Sequence, residues 1–253
     1  MAEKYSRHLR FASVSNFRDI GGYRTRNGDT IAWRRVFRSG EFQHLTGNDL
    51  QRLKEEIGLA SVIDLRSAME IERHGIGLLS EADIKYHNIS FIADGGDRKA
   101  DERRFKEFKN MGEFYLDLMP QKEYGQRIIE ALEVIAIPEN HPLVFHCAVG
   151  KDRTGMLAAI LLNLLGVEED DIIQDYTLSE PYMDELLARL KNNPQKSDPP
   201  LDIPDYFWKA SPESMALFLS TLRREYGSIA DYLTTQGAES SLIGRLKTAL
   251  LSK

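Results

Sequence analysis

The sequence predicts an α/β fold: a central, mostly parallel or mixed sheet flanked by helices, with a helical C-terminal half. Two patterns carry that expectation. Before Cys147, four short β-rich runs, each bounded by Gly, Pro or charged residues, alternate with stretches of helical periodicity. After Cys147 the apolar spacing is helical almost without interruption. Strands separated by helices call for a sheet covered on its faces, so the pattern reads as a sheet completed early and wrapped by the C-terminal helices.

The β-rich runs are IAWRRVFRSG from Ile31, SVIDLRS from Ser61, IKYHNISF from Ile84 and PLVFHCAV from Pro142. Between the first two, LTGNDLQRLKEEIG from Leu45 is helical, with Gly58 as its stop and a Thr46 to Asp49 start resembling a capping box with Asp in place of Glu. GGDRKADERRFKEFKN from Gly95 is the most charged stretch and reads as a loop entering a solvated helix. A second helix, or a helix pair, runs from about Arg103 to Ile137, with Pro120 marking an interior break. The later helices run over Thr154 to Leu165, Glu168 to Ser179, Pro181 to Lys191, Pro212 to Tyr226, Ser228 to Leu233 and Glu239 to Leu250. Five of the nine prolines fall between Pro194 and Pro212, too dense for helix or central strand, so this piece is a loop or lid. No repeat or low-complexity tract divides the chain, and residues 1–253 read as one domain.

Composition narrows the function classes. The 253 residues carry 33 Lys and Arg against 39 Asp and Glu, a formal charge of −6, and 42% are apolar. That excludes disorder as the overall description, and it argues against wrapping nucleic acid or lying on an anionic membrane through bulk charge. An anionic substrate needs a focused site. The single cysteine excludes an internal disulfide and any four-thiolate metal site, and it points to a reducing compartment. The N-terminus lacks the apolar core of a signal peptide, and the most hydrophobic stretch, Met156 to Val167, is too short to span a bilayer. A cytoplasmic protein without integral membrane contact is expected, with signal-independent secretion left open. The oligomeric state is not readable.

The chemistry concentrates at Pro142 to Gly155, PLVFHCAVGKDRTG, where an apolar strand enters a short loop and then an apolar helix. Such a junction aims successive backbone amides, and the positive end of the helix dipole, into one concavity sized for phosphate. Cys147 opens the loop, where the same field favours its thiolate and makes the sulfur a nucleophile. Arg153 closes it with a planar fork able to hold two phosphoryl oxygens. The amides of Ala148, Val149, Gly150 and Lys151 would hold the phosphoryl group. Thr154 either donates its hydroxyl to the sulfur or starts the helix. His146 orients the backbone beside the thiol. It cannot pair with His141 as a metal ligand, because an i, i+5 spacing on a strand puts the rings on opposite faces.

HCAVGKDRTG resembles the signature loop of the Cys-based protein tyrosine phosphatase superfamily. Together with NFRDIGGY from Asn16, FRSGE from Phe37, VIDLRS from Val62 and DYTLS from Asp175, it is similar to the atypical bacterial branch of tyrosine and phosphoinositide phosphatases. The likeness runs from Asn16 to about Tyr232 and is weakest over Gly95 to Asn110 and Pro194 to Pro212. It implies a phosphatase fold, no metal or cofactor, a phosphocysteine intermediate, and a phosphotyrosine protein or phosphoinositide as substrate. It also implies that the loop Asp, Asp152, is the general acid, in the absence of any Trp-Pro-Asp sequence. Asp94, with Asp97 close behind, is the alternative acid, placed where a mobile acid loop would sit. An acidic optimum and a selective loss on poor leaving groups in Asp152→Asn are expected.

Lys151 could read a second negative group on the substrate. Arg66 follows a strand and could bear on the site, although an ion pair to Asp19 or Glu70 is preferred. Asn16, Arg18 and Asp19 are expected to pin the turn at Gly21-Gly22, and Tyr206, Phe207 and Trp208 either line a lid or pack. A non-catalytic phosphate-binding pseudophosphatase would have lost its nucleophile or arginine, whereas Cys147, Asp152, Arg153 and Thr154 are all present. A sulfurtransferase or arsenate reductase could use a similar cradle, but a single cysteine disfavours a disulfide relay.

Overall fold

The computed structural model describes residues 5–92, 98–192 and 202–252. Its elements in chain order are β1 (Arg18–Asp19), β2 (Thr30–Ile31), β3 (Val36–Ser39), α1 (Gly47–Arg52), β4 (Ser61–Asp64), α2 (Ala68–His74), β5 (Lys85–Asn88), α3 (Arg98–Phe105), α4 (Met111–Leu118), α5 (Lys122–Ile135) and β6 (Leu143–His146). There follow α6 (Asp152–Leu165), α7 (Glu169–Thr177), α8 (Glu180–Asn192), α9 (Pro212–Tyr226), α10 (Ile229–Gln236), α11 (Leu242–Leu250) and β7 (Leu251–Ser252). The main sheet has the order β1-β3-β6-β4-β5, antiparallel at β1 and parallel elsewhere, so the α/β expectation with a mixed sheet holds.

Strand alternation divides the core. Phe37, Val144 and Val62 lie in register across β3, β6 and β4 and join Phe17, Phe42, Leu53 and Ile57 on one face. Val36, Ile63, Leu143 and Phe145 point the other way, into the larger cluster built with α4, α5, α6 and α9 to α11. Every residue from Thr154 to Leu162 is buried, so the most apolar stretch is the central core helix. Among the described residues no helix is long and apolar enough to cross a membrane.

The structure departs from the pattern in several places, the stretch from Arg103 to Ile137 among them, which holds the end of α3 and all of α4 and α5 and is interrupted at 106–110 as well as at Pro120. The run from Ile31 is not one strand: Arg34 takes a positive φ of 61°, held by its amide on Asp19 Oδ2 at 2.7 Å, so Ile31 pairs with β7 while Val36 begins β3. The box at Thr46 is half made. Thr46 accepts from the Asp49 amide, but the short Asp49 carboxylate reaches Ala12 and Ser13 instead of turning back. Helix α2 had no apolar period to announce it; Ser67 and Glu70 start it with a reciprocal capping box. The proline-rich stretch is described from residue 202 onward, where Asp205–Trp208 forms a 3₁₀ turn before α9; residues 193–201 lie outside the described residues.

Candidate active site

Strand β6 ends at His146, Cys147 to Lys151 form the loop, and Asp152 starts α6. Each loop carbonyl up to Gly150 is taken by an outer partner. Cys147 O lies 3.1 Å from His146 Nδ1, and Ala148 O accepts from the Glu41 amide at 3.1 Å. Val149 O accepts from Asn16 Nδ2 at 3.2 Å, and Gly150 O from Asn16 Nδ2 at 3.1 Å and Arg38 Nη2 at 2.9 Å. With the carbonyls held outward, the amides turn inward; none from Ala148 to Asp152 donates to a protein acceptor among the described residues. That is an anion nest. Gly150 makes the turn possible at φ 75°, where a Cβ would stand 2.4 Å from Ser39 O.

Behind the nest lies a buried charge cluster. Asp175 on α7 accepts from Arg18 Nε at 3.2 Å and Arg38 Nη1 at 2.5 Å. Burial opposes its charge, but the two guanidiniums hold its carboxyl far below the usual range. Burial pulls Arg38 down to about 10, so it remains a cation on the Gly150 carbonyl. Asn16 and Arg18 are thus tied to the loop and to α7, while Asp19 alone pins the expected turn, accepting from the Gly21 and Arg34 amides.

A cavity of about 290 Å³ opens over the loop, with Cys147, Asp152 and Arg153 in its lining and Ile92, Phe105, Phe114, Phe207 and Trp208 as apolar wall. Arg153 is gripped by Glu70 on α2, Nη1 to Oε2 at 2.5 Å and Nη2 to Oε1 at 2.8 Å. Burial works against this arginine's charge, yet the Glu70 pair outweighs it and raises its pKa; Glu70, buried likewise, is lowered by the same contact. A guanidinium has five N–H groups. With Leu65 O also near Nη1, the adjacent Nε–H and second Nη2–H have no partner among the described residues, and this edge can span two phosphoryl oxygens.

The remaining sequence-derived residues divide. Asp152 lines the cavity and accepts from Tyr115 Oη at 2.6 Å. Asp94 and Asp97 lie outside the described residues. Thr154 is fully buried, and its hydroxyl has no hydrogen-bond partner among the described residues, the sulfur included. Lys151 does not present its ammonium to the cavity. It is buried, lies 3.5 Å from Asp152 Oδ1, and donates to Lys209 O at 3.2 Å and to Phe207 O. Burial lowers its pKa against Asp152.

Arg66 is a structural pin rather than a cavity residue. It pairs with Asp64 at 2.7 Å and Glu41 at 3.0 Å, not with Asp19 or Glu70, because it leaves β4 toward its own strand end while Glu70 is taken by Arg153. His146 is fully buried, and burial lowers its pKa; its Nδ1–H serves the Cys147 carbonyl. Phe207 and Trp208 line the cavity, and Tyr206 donates to Phe105 O. Sequence reading missed Glu70 as the partner of Arg153, Arg38 and Asp175 as the cradle's frame, and Tyr115. The segments FRSGE and DYTLS were visible signals for the frame.

A nucleophile-bearing nest at a strand–helix junction, with an arginine on the first helical turn and an apolar pocket above, defines the class of Cys-centred phosphoryl-transfer enzymes. Residues 9–252 match the model of the tyrosine phosphatase family, so the chain belongs to that family and is a Cys-dependent phosphatase. It is similar to the triple specificity protein phosphatase PtpB of Mycobacterium tuberculosis, 27% identical over 93% of this chain and 96% of that one. It is also similar to a tyrosine-protein phosphatase of Nostoc commune, 29% identical over 84% of this chain and 73% of that one. A solved structure, the core catalytic domain of the PP-IP phosphatase SIW14 from S. cerevisiae with citrate, matches 66% of this chain and 94% of that one at 19% identity, with a TM-score of 0.37.

Proposed function

We propose that the chain, as one phosphatase domain, hydrolyses aryl phosphomonoesters, phosphotyrosine in proteins foremost, through a phosphocysteine. The observation that carries this reading is the meeting of three things in one cavity: the amide nest with Cys147, the Arg153 edge fixed by Glu70, and an aromatic wall. Cys147 sulfur, as the thiolate, attacks phosphorus in line; the P–O bond to the leaving phenolate breaks, and Asp152 gives that oxygen a proton. Water then attacks the phosphocysteine, Asp152 accepts a proton from it, and phosphate leaves with the sulfur restored as thiolate. Arg153 and the amides hold the three equatorial oxygens in both steps, where charge is concentrated.

The apolar wall suits a phenyl ring. Lys151, held by backbone carbonyls, is withdrawn from the role of binding a second phosphate, which favours a protein phosphotyrosine over a phosphoinositide headgroup. The test is a panel of phosphotyrosine peptides, phosphoserine peptides and phosphoinositides assayed with wild type and Cys147→Ser. Phosphotyrosine peptides should be hydrolysed with the highest kcat/KM, and Cys147→Ser should release no phosphate from any substrate. Full activity in Cys147→Ser refutes the mechanism; a higher kcat/KM on phosphoinositides refutes the substrate assignment.

A further inference from the structure

Tyr115, on α4, is fully buried, yet its phenol reaches Asp152 Oδ1 at 2.6 Å and Tyr176 Oη at 2.8 Å. Lys151 Nζ approaches the same oxygen, Oδ1, at 3.5 Å. Both contacts converge on one side of the carboxyl group, and Oδ2 has no partner among the described residues although Asp152 lines the cavity. The arrangement is braced from behind. The ring of Tyr176 packs so closely on α6 that a Cβ at Gly155 would stand 2.9 Å from its Cδ2, which gives the final glycine of the HCAVGKDRTG segment a reason of its own. Tyr176 follows Asp175 directly, so one turn of α7 anchors the arginines behind the nest with one residue and the phenol chain with the next.

We infer that Tyr115 is the positioning residue for proton delivery by Asp152, with Tyr176 as its support; this rests on the acid role proposed for Asp152. A carboxylic acid gives up its proton efficiently only when the O–H is aimed at the leaving oxygen, and a side chain at a helix start otherwise rotates freely about χ1 and χ2. The Tyr115 O–H donates to Oδ1 and so leaves the acid proton to Oδ2. In the first step that proton passes from Oδ2 to the leaving phenolate oxygen, and the carboxylate that remains still accepts from Tyr115 through Oδ1. In the second step Oδ2 takes a proton from the attacking water. Tyr115 itself neither gains nor loses a proton. Its own pKa is raised well above the ordinary phenol value, by burial and then by Asp152, which keeps it a donor throughout.

The experiment compares kcat and KM for phenyl phosphate, a poor leaving group, and 4-nitrophenyl phosphate, an activated one, in wild type, Tyr115→Phe, Tyr176→Phe, Asp152→Asn and Tyr115→Phe/Asp152→Asn. Tyr115→Phe should lose about tenfold in kcat/KM on phenyl phosphate and less than about twofold in kcat/KM on 4-nitrophenyl phosphate, since kcat/KM reads the first step alone, the water step common to both esters enters only kcat, and general acid catalysis is worth roughly 10²–10⁴ in all. In the Asp152→Asn background the same change should add nothing. Equal loss on both substrates, or a full further loss in the double variant, overturns the inference. If Asp152→Asn itself shows no leaving-group selectivity, the acid assignment fails, and that result is distinct from a selective Asp152→Asn with a silent Tyr115→Phe, which refutes Tyr115 alone. Should Tyr115→Phe not fold, Tyr176→Phe decides: it should show the same selectivity at about threefold, and none means the support does not exist.

Discussion

The cradle and the rim of this site are built by opposite means. Around the nest, Arg18, Arg38 and Asp175 are within 1% of full burial, and every loop carbonyl from Cys147 to Gly150 has a named outer partner. The rim rests mainly on aromatic contact, Phe105 against Phe207 at 4.5 Å and Phe114 at 5.0 Å, with the Arg104 guanidinium 5.3 Å from the Phe114 ring centre and the 3₁₀ turn tied down by Lys151 and Tyr206. On the proposed reading the nest holds phosphoryl oxygens by fixed dipoles, which work only if they need not reorganise during reaction, and the cradle is accordingly pinned by charge. A ring is held by area, which tolerates adjustment, so the rim can be looser.

That contrast breaks most visibly at Asp175. Asp175→Asn leaves two arginines buried without their counter-ion, and should cost about 3–5 kcal/mol of stability and lower kcat on every substrate alike, activated esters included. Denaturant unfolding and kinetics on 4-nitrophenyl phosphate measure both; a stable variant selective for leaving group would mean the frame does not shape the nest.

A milder disturbance is expected where the two regions are stitched together. Lys151→Met keeps the bulk of the side chain but removes the donors to Phe207 O and Lys209 O. KM for phosphotyrosine peptides should rise about fivefold with kcat within about twofold, since the rim loosens while the nest stays. A fall in kcat with unchanged KM would assign Lys151 to the cradle instead.

The smallest effect is at Glu41, whose amide holds Ala148 O and whose carboxyl is pushed up to about 7 by burial, against Arg66. A carboxyl with a raised native pKa binds its proton more tightly folded than unfolded. Its contribution is therefore fully present below the ordinary glutamate pKa and is lost as pH rises through about 7. Glu41→Gln should raise Tm by roughly 3 °C more at pH 8 than at pH 5, read by thermal melts. An equal shift at both pH values would show that Glu41 titrates normally.

The partners that were hard to read explain themselves by distance along the chain. Thr46, Gly58 and Pro120 act on their neighbours, and the helix starts and stops they signal are where the spacing puts them, give or take a turn. Glu70 is 83 residues from Arg153, Asp175 is 137 from Arg38, and Tyr115 is 37 from Asp152. No local period reports such pairs, since side-chain direction out of a loop depends on what the other elements leave open. Lys151 shows the same limit from the other side: as a loop lysine it reads as solvated or substrate-facing, and packing of the 3₁₀ turn makes it a buried anchor.

By itself the amino-acid order determined that a strand, a short glycine loop and an apolar helix meet at Cys147, and with that the kind of anion the protein handles, because backbone amides and a helix end act wherever such a junction forms. Only the tertiary structure decided which acid locks Arg153, which phenol aims Asp152 and where Lys151 turns. Those choices depend on atoms brought together by the closing of the core, and burial converts each of them from a solvated charge or hydroxyl into a group that must have a partner.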